Sequence, residues 1–72
     1  METRNVQLKG EYIELNKLLK FENLASSGGE AKHAITSGAV KVDGVVESRI
    51  RRKLYAGSVV EFAEVTVAIL AK

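Results

Sequence analysis

The sequence predicts an α+β domain in which two packed helices cover a small antiparallel β-sheet. Three observations carry this reading. Apolar residues recur at helical spacing twice, at Leu15, Leu18 and Leu19 and again at Ala31, Ala34 and Ile35. After Gly38 the period falls to two, with Val40 and Val42 on one side and Lys41 on the other. Asp43-Gly44 then follows, a hairpin signal, because both residues tolerate positive φ. The 72 residues are read as one domain, 1–72.

Arg4 to Lys9 alternates, with Val6 and Leu8 apolar, and predicts an edge strand that Gly10 ends. That edge is also a place where another chain could pair. A first helix is expected from Glu14, an acid suited to the first turn, to Glu22 or Asn23. Leu24 is then expected to plug the core. Ser27 and Glu30 have the spacing of a capping box, in which each side chain closes a free backbone N–H of the other. They open a second helix, whose alanines permit close approach to a neighbour and which Gly38 stops. Gly28 and Gly29 each weaken a helical first turn by roughly 1 kcal/mol relative to Ala. They call for a reason such as close approach of another group. Val45 and Val46 start the return strand. The segment 49–53 is read as extended, with Arg49, Arg51 and Lys53 on one face and Ile50, Arg52 and Leu54 on the other. Ala56-Gly57-Ser58 reads as a turn. Val59 to Phe62 and Val65 to Leu70 read as two strands joined tightly at Ala63-Glu64.

Charge is the functional signal. Arg49, Arg51, Arg52 and Lys53 crowd into five residues, while the whole chain is only +2. A cationic cluster on a nearly neutral chain points to an anionic partner, most often nucleic acid. The plain alternative is a solvated charge run in which Arg52 lays its stem over the core. The helix opening from Ser26 to Lys32 offers a second anion site, where free N–H groups and the helix dipole favour a phosphate. There the plain alternative is a cap that only stabilises the helix. His33 reads as a surface residue or as a contact to base or phosphate.

Other classes find little in the sequence. With no Cys and a single His, a zinc site built from these residues is excluded. No cofactor is expected. No apolar run approaches the roughly 20 residues that span a bilayer, and Met1 to Arg4 lacks a signal-peptide core. A cytoplasmic location, with no membrane and no small-molecule substrate, is therefore expected. The carboxylates, eight Glu and Asp43, show no acid/base spacing, so no enzyme is expected. Tyr12, Phe21, Tyr55 and Phe62 are too dispersed in sequence to suggest a stacking platform for single strands. Phe21 and Phe62 are read as core. Lys41 and Tyr55 are placed at the border of the basic face.

Ser26-Ser27-Gly28-Gly29-Glu30-Ala31-Lys32, with Ile35, Gly38, Val40-Lys41-Val42-Asp43-Gly44 and Gly57 before Val59-Val60-Glu61, resembles the S-four-type RNA-binding domain, the αL motif. The resemblance covers about residues 12–62. The Ser-Gly-Gly-x-Ala-Lys run and Arg52-Lys53-Leu54-Tyr55-x-Gly57 look most like its stand-alone small bacterial branch, the YbcJ/YaaA-like proteins. It implies an RNA-binding surface around the second helix, with Ser27, Lys32 and Lys41 at positions the family uses. Tyr12-Ile13-Glu14 stands where the family often has Arg-Leu-Asp, Ser27-Gly28 where it has Ser-Arg, and Gly57-Ser58 where it has Gly-Asp. The 49–53 cluster is expected to compensate for the missing arginines. The expected function is non-catalytic binding of structured RNA, ribosomal or from an assembly intermediate, by a monomer. The expected surface comprises Ser26, Ser27, Lys32, His33, Lys41, Arg49, Arg51, Arg52 and Lys53. Charge reversal at Arg51 and Arg52 is expected to abolish binding and spare the fold. The rivals are a protein–protein adaptor with an acidic partner and a DNA-binding accessory protein.

Overall fold

The computed structural model describes residues 2–72. Nine elements follow in order: β1 (Glu2–Gln7), β2 (Ile13–Glu14), α1 (Leu15–Phe21), α2 (Gly28–Thr36), β3 (Lys41–Val42), β4 (Val45–Val46), β5 (Lys53–Leu54), β6 (Val59–Phe62) and β7 (Val65–Leu70). The α+β class holds, with two helices packed on a sheet. The sheet is mixed where an antiparallel one was expected. Its order is β1-β7-β6-β3-β4, and β1 lies parallel to β7, Glu2 opposite Val65 and Gln7 opposite Leu70. The other pairs in it are antiparallel. β2 and β5 form a separate antiparallel ribbon, with Ile13 opposite Leu54 and Glu14 opposite Lys53.

One core joins the layers. Leu15, Leu18 and Leu19 of α1 and Ala31 and Ile35 of α2 meet Val42, Leu54, Val60, Val67 and Ile69 from the strands. Each large side chain of this set gains about 1.5–3 kcal/mol on leaving water. β7 shows the period-two logic plainly, with Val65, Val67 and Ile69 buried and Thr66 and Ala68 half-buried.

Both helices stop in the same way. Leu24 donates its N–H to the Leu19 carbonyl at 2.8 Å and Asn23 to Lys20 at 3.1 Å, with Asn23 at φ 59°. Ala39 donates to Ala34 at 3.1 Å and Gly38 to Ile35 at 3.2 Å, with Gly38 at φ 84°. Both are Schellman closures, which satisfy carbonyls that the helix leaves open. Leu24 packs against the core as expected. Phe21 does not. It is 61% exposed, because it ends α1 on the side away from the leucine stripe.

The hairpin turn Asp43-Gly44 has φ of 53° and 83°, the left-handed pair that a two-residue loop requires. Ala63-Glu64 makes the same turn at φ 52° and 65° without residues suited to it. A left-handed conformation costs a side-chain-bearing residue about 1–2 kcal/mol. The paired replacement Ala63→Asn, Glu64→Gly is therefore expected to stabilise the domain by about 1–2 kcal/mol. A thermal melt followed by circular dichroism reads this as a rise of several degrees, and an unchanged or lower midpoint would refute the strain.

Candidate nucleic-acid interface

The basic segment is a turn, where an extended run was expected. Arg52 donates its N–H to the Arg49 carbonyl at 3.3 Å, and only Lys53 and Leu54 enter a strand. Burial still alternates along it: Arg49, Arg51 and Lys53 are exposed, Ile50 and Arg52 half-buried, Leu54 buried. The cause of the turn lies in α1. Its N-cap, Glu14, makes no side-chain cap. Its first N–H groups are closed instead by the turn's carbonyls, Leu15 to Arg52 at 2.9 Å and Asn16 to Ile50 at 3.1 Å. The turn thus serves as the helix cap, and the helix start holds the turn.

Glu47 holds it from the other side. This carboxylate is 7% exposed and lies just outside the basic run. It accepts the Arg49 backbone N–H at 3.0 Å, Arg49 Nε and Nη2 at 3.1 Å each, and Arg52 Nη1. Arg49's side-chain hydrogen bonds, then its backbone N–H, then Arg52 hold the Glu47 carboxyl down at about 2. The same contact raises the Arg49 pKa. Two of the four clustered charges therefore have an internal partner. Arg49 keeps a largely open guanidinium, with its side chain 71% exposed, whereas Arg52 has 32%. Charge reversal at Arg52 would face Glu47 with a second carboxylate, so a cost in stability is now expected from it.

Arg49, Arg51, Arg52, Lys53 and Tyr55 line one open concavity. Lys53 Nζ stands 4.9 Å from the centre of the Tyr12 ring, and the Tyr12 and Tyr55 centroids are 6.0 Å apart at 51°. Both tyrosines are about half exposed. They are far apart in sequence and meet because Ile13 pairs with Leu54. Dispersed aromatics thus become a pair beside the cations, which linear reading missed. No short-range pattern marks this ribbon, since each of its strands is two residues long.

The opening of α2 is satisfied from within. Ser27 Oγ accepts the Glu30 N–H at 3.1 Å, as a cap should. Glu30 does not return the bond to Ser27. Its carboxylate instead accepts the Ser26 hydroxyl at 2.6 Å and the Ser26 N–H at 3.4 Å. The Ser26 hydroxyl, and then its backbone N–H, lower the Glu30 pKa, so an anion of the protein's own sits at this helix start. Gly28 has open space where a Cβ would stand, and Gly29 meets only the neighbouring Ser27 hydroxyl at 4.0 Å. The close packing that would call for glycine here is not seen at either Cβ position. Lys32 and His33 are exposed one turn further on. Lys41 is exposed on β3 opposite Glu61, in a concavity that also holds Glu64 and shares no residue with the basic one. Tyr55 borders the basic face as expected. Lys41 does not.

No group of three or more His, Cys, Asp or Glu side chains is placed to hold a metal ion among the described residues. No helix there is long and apolar enough to cross a membrane.

Known proteins share this chain's pattern. Its residues 6–70 match the model of the S4 domain. The "Putative RNA-binding protein YbcJ" of Escherichia coli (strain K12) is 49% identical over 63 residues, which cover 88% of this chain and 90% of that protein. The YbcJ of Shigella flexneri, described as uncharacterized, matches to the same extent. The solution structure of YbcJ from E. coli, described as revealing an αL motif involved in RNA binding, superposes with a TM-score of 0.69. It is 46% identical and covers 99% of this chain and 89% of its own. A family match over residues 6–70, with a superposition that covers 99% of the chain, places this protein in the S4 domain family.

Proposed function

We propose that the protein is a non-catalytic RNA-binding protein that docks on structured RNA, ribosomal RNA or a ribosome-assembly intermediate. The observation that carries this reading is the basic concavity. Arg51 and Lys53 project from a turn pinned on both sides, with Arg49 beside them and two tyrosines at the edge. A backbone turn already fixed before binding loses little freedom on binding, which favours affinity. Arginine adds a planar fork that pairs with phosphate and stacks on bases. The description of YbcJ as RNA-binding supports the same reading.

The contact is an electrostatic clamp. Arg49, Arg51 and Lys53 neutralise about three phosphates, so log affinity should fall with log salt with a slope of roughly 2 to 3. Lys32 and His33 on α2 form a second point of contact. Ser26 and Ser27 act mainly by shaping the helix start, since Glu30 fills the place an anion would take. Arg52 supports the turn and adds charge at its base. Lys41, opposite Glu61, contributes least.

Crosslinking to RNA in living cells, followed by sequencing, tests the reading. Enrichment at one ribosomal RNA site is the expected result. A scattered background signal, with protein partners that persist through nuclease treatment, would replace the RNA with an acidic protein.

A further inference from the structure

Lys53, which lines the basic concavity, stands over the ring of Tyr12. The same ring forms one wall of a second, more apolar cleft, and Phe21 at the end of α1 forms the other. Leu8, which is buried, and Ile13, which packs on the core, also line it, and Gly10 adds no side chain to it. Two features of this cleft do not serve the fold. Phe21 keeps 61% of its surface in water, and Tyr12 keeps 43%. Each aromatic wall also carries a lysine. Lys9 Nζ is 5.9 Å from the Phe21 ring centre, and Lys53 Nζ is 4.9 Å from that of Tyr12.

We infer that this cleft receives an unpaired base of the bound RNA, held between Tyr12 and Phe21, with Lys9 and Lys53 on its flanking phosphates. The inference rests on the RNA-binding reading above and names the kind of RNA: a helix interrupted by a bulge, loop or junction. A nucleotide offers a flat π-face and an anion a few ångströms apart, the complement of an aromatic wall with a lysine beside it. An apolar peptide would use the rings and leave both lysines without a role. A regular duplex keeps its bases stacked inside and cannot enter the cleft. Lys53 and Tyr55 of the basic concavity lie against Tyr12 of the cleft, so one strand can run from the first into the second.

The test compares two hairpin RNAs of equal length, one fully paired and one with a single bulged 2-aminopurine, each titrated with the intact protein. The bulged hairpin is expected to bind at least about fivefold tighter and to change its fluorescence as the base stacks on the rings. Phe21→Ala should erase that preference and the fluorescence change, leaving affinity for the paired hairpin unaltered. Phe21 is mostly exposed, so this variant should keep its fold, and a melting curve checks that. Equal affinity for the two hairpins, or a preference that survives Phe21→Ala, would overturn the inference and leave the clamp standing. Binding of neither hairpin above background at low salt would remove the clamp and this inference together.

Discussion

The double replacement Arg51→Glu, Lys53→Thr is expected to lower RNA affinity about a hundredfold or more, with the melting midpoint close to that of the parent. Each side chain loses a charge-assisted contact of about 1.5–3 kcal/mol, and the glutamate adds repulsion. The choice of residues follows from the contacts. Arg51 is exposed, with no side-chain ion pair among the described residues, so nothing in the fold depends on it. Lys53 lies opposite Glu14 across the small ribbon, and a glutamate there would set like charges face to face. Threonine removes the cation and keeps a residue suited to a strand. Arg52 is left intact because Glu47 depends on it. Affinity against salt concentration should also flatten, with the slope falling by roughly 1.5 for the two lost phosphate contacts. Equal affinity in parent and variant, with the fold intact, would remove the basic turn from the interface.

The second large effect belongs to Glu47. Its removal as Glu47→Ala is expected to destabilise the domain by about 2–3 kcal/mol. That is below the usual cost of breaking a fully buried pair, since both arginines can turn partly to water. The pH dependence has a definite sign. The Arg49 and Arg52 contacts hold the folded-state carboxyl at about 2, well below the usual carboxylate range. The folded protein therefore holds this proton less tightly than the unfolded chain does. The stabilisation is full above about pH 4.5 and is lost as the pH falls through about 2. Urea unfolding of the parent and of Glu47→Gln at a series of pH values reads the difference. The stability gap should be widest near neutrality and should narrow on acidification between those limits. A gap that stays constant from pH 7 to pH 2 would mean that the ion pairs contribute nothing.

How much of this could be read from the chain follows a physical rule. Features set by neighbours in sequence were legible. The leucine stripe of α1, the Ser27 cap, the Gly38 stop and the Asp43-Gly44 turn each depend on residues within a few positions. Features set by distant partners were not. Nothing in the alternation of β1 says that its neighbour is β7, or that the two run parallel. β2 and β5 are two residues each, too short for any period to show, yet their pairing joins Tyr12 to Tyr55. The charge cluster was visible as a run. Its division into held and free cations was not, because Glu47 lies outside the run and its burial depends on the fold. The exposure of Phe21 is a different case, since it follows from the local phase of the α1 stripe, which a reading by residue type passes over. Composition assigns a phenylalanine to the interior, and only the phase of α1 turns it outward.

The parallel pairing of β1 with β7 also sets the order in which the domain can be completed. β1 leaves the ribosome before every other element described, and its only neighbour in the sheet leaves last. Until β7 emerges, Val6 and Leu8 have no strand to lie against, and β6 lacks its second partner. Contacts between chain segments so far apart carry the largest loop-closure cost and form late. The helices and the β3–β4 hairpin can form early from local signals. The complete sheet must wait for the last strand, so during synthesis the unfinished domain carries an open strand edge that chaperones can hold.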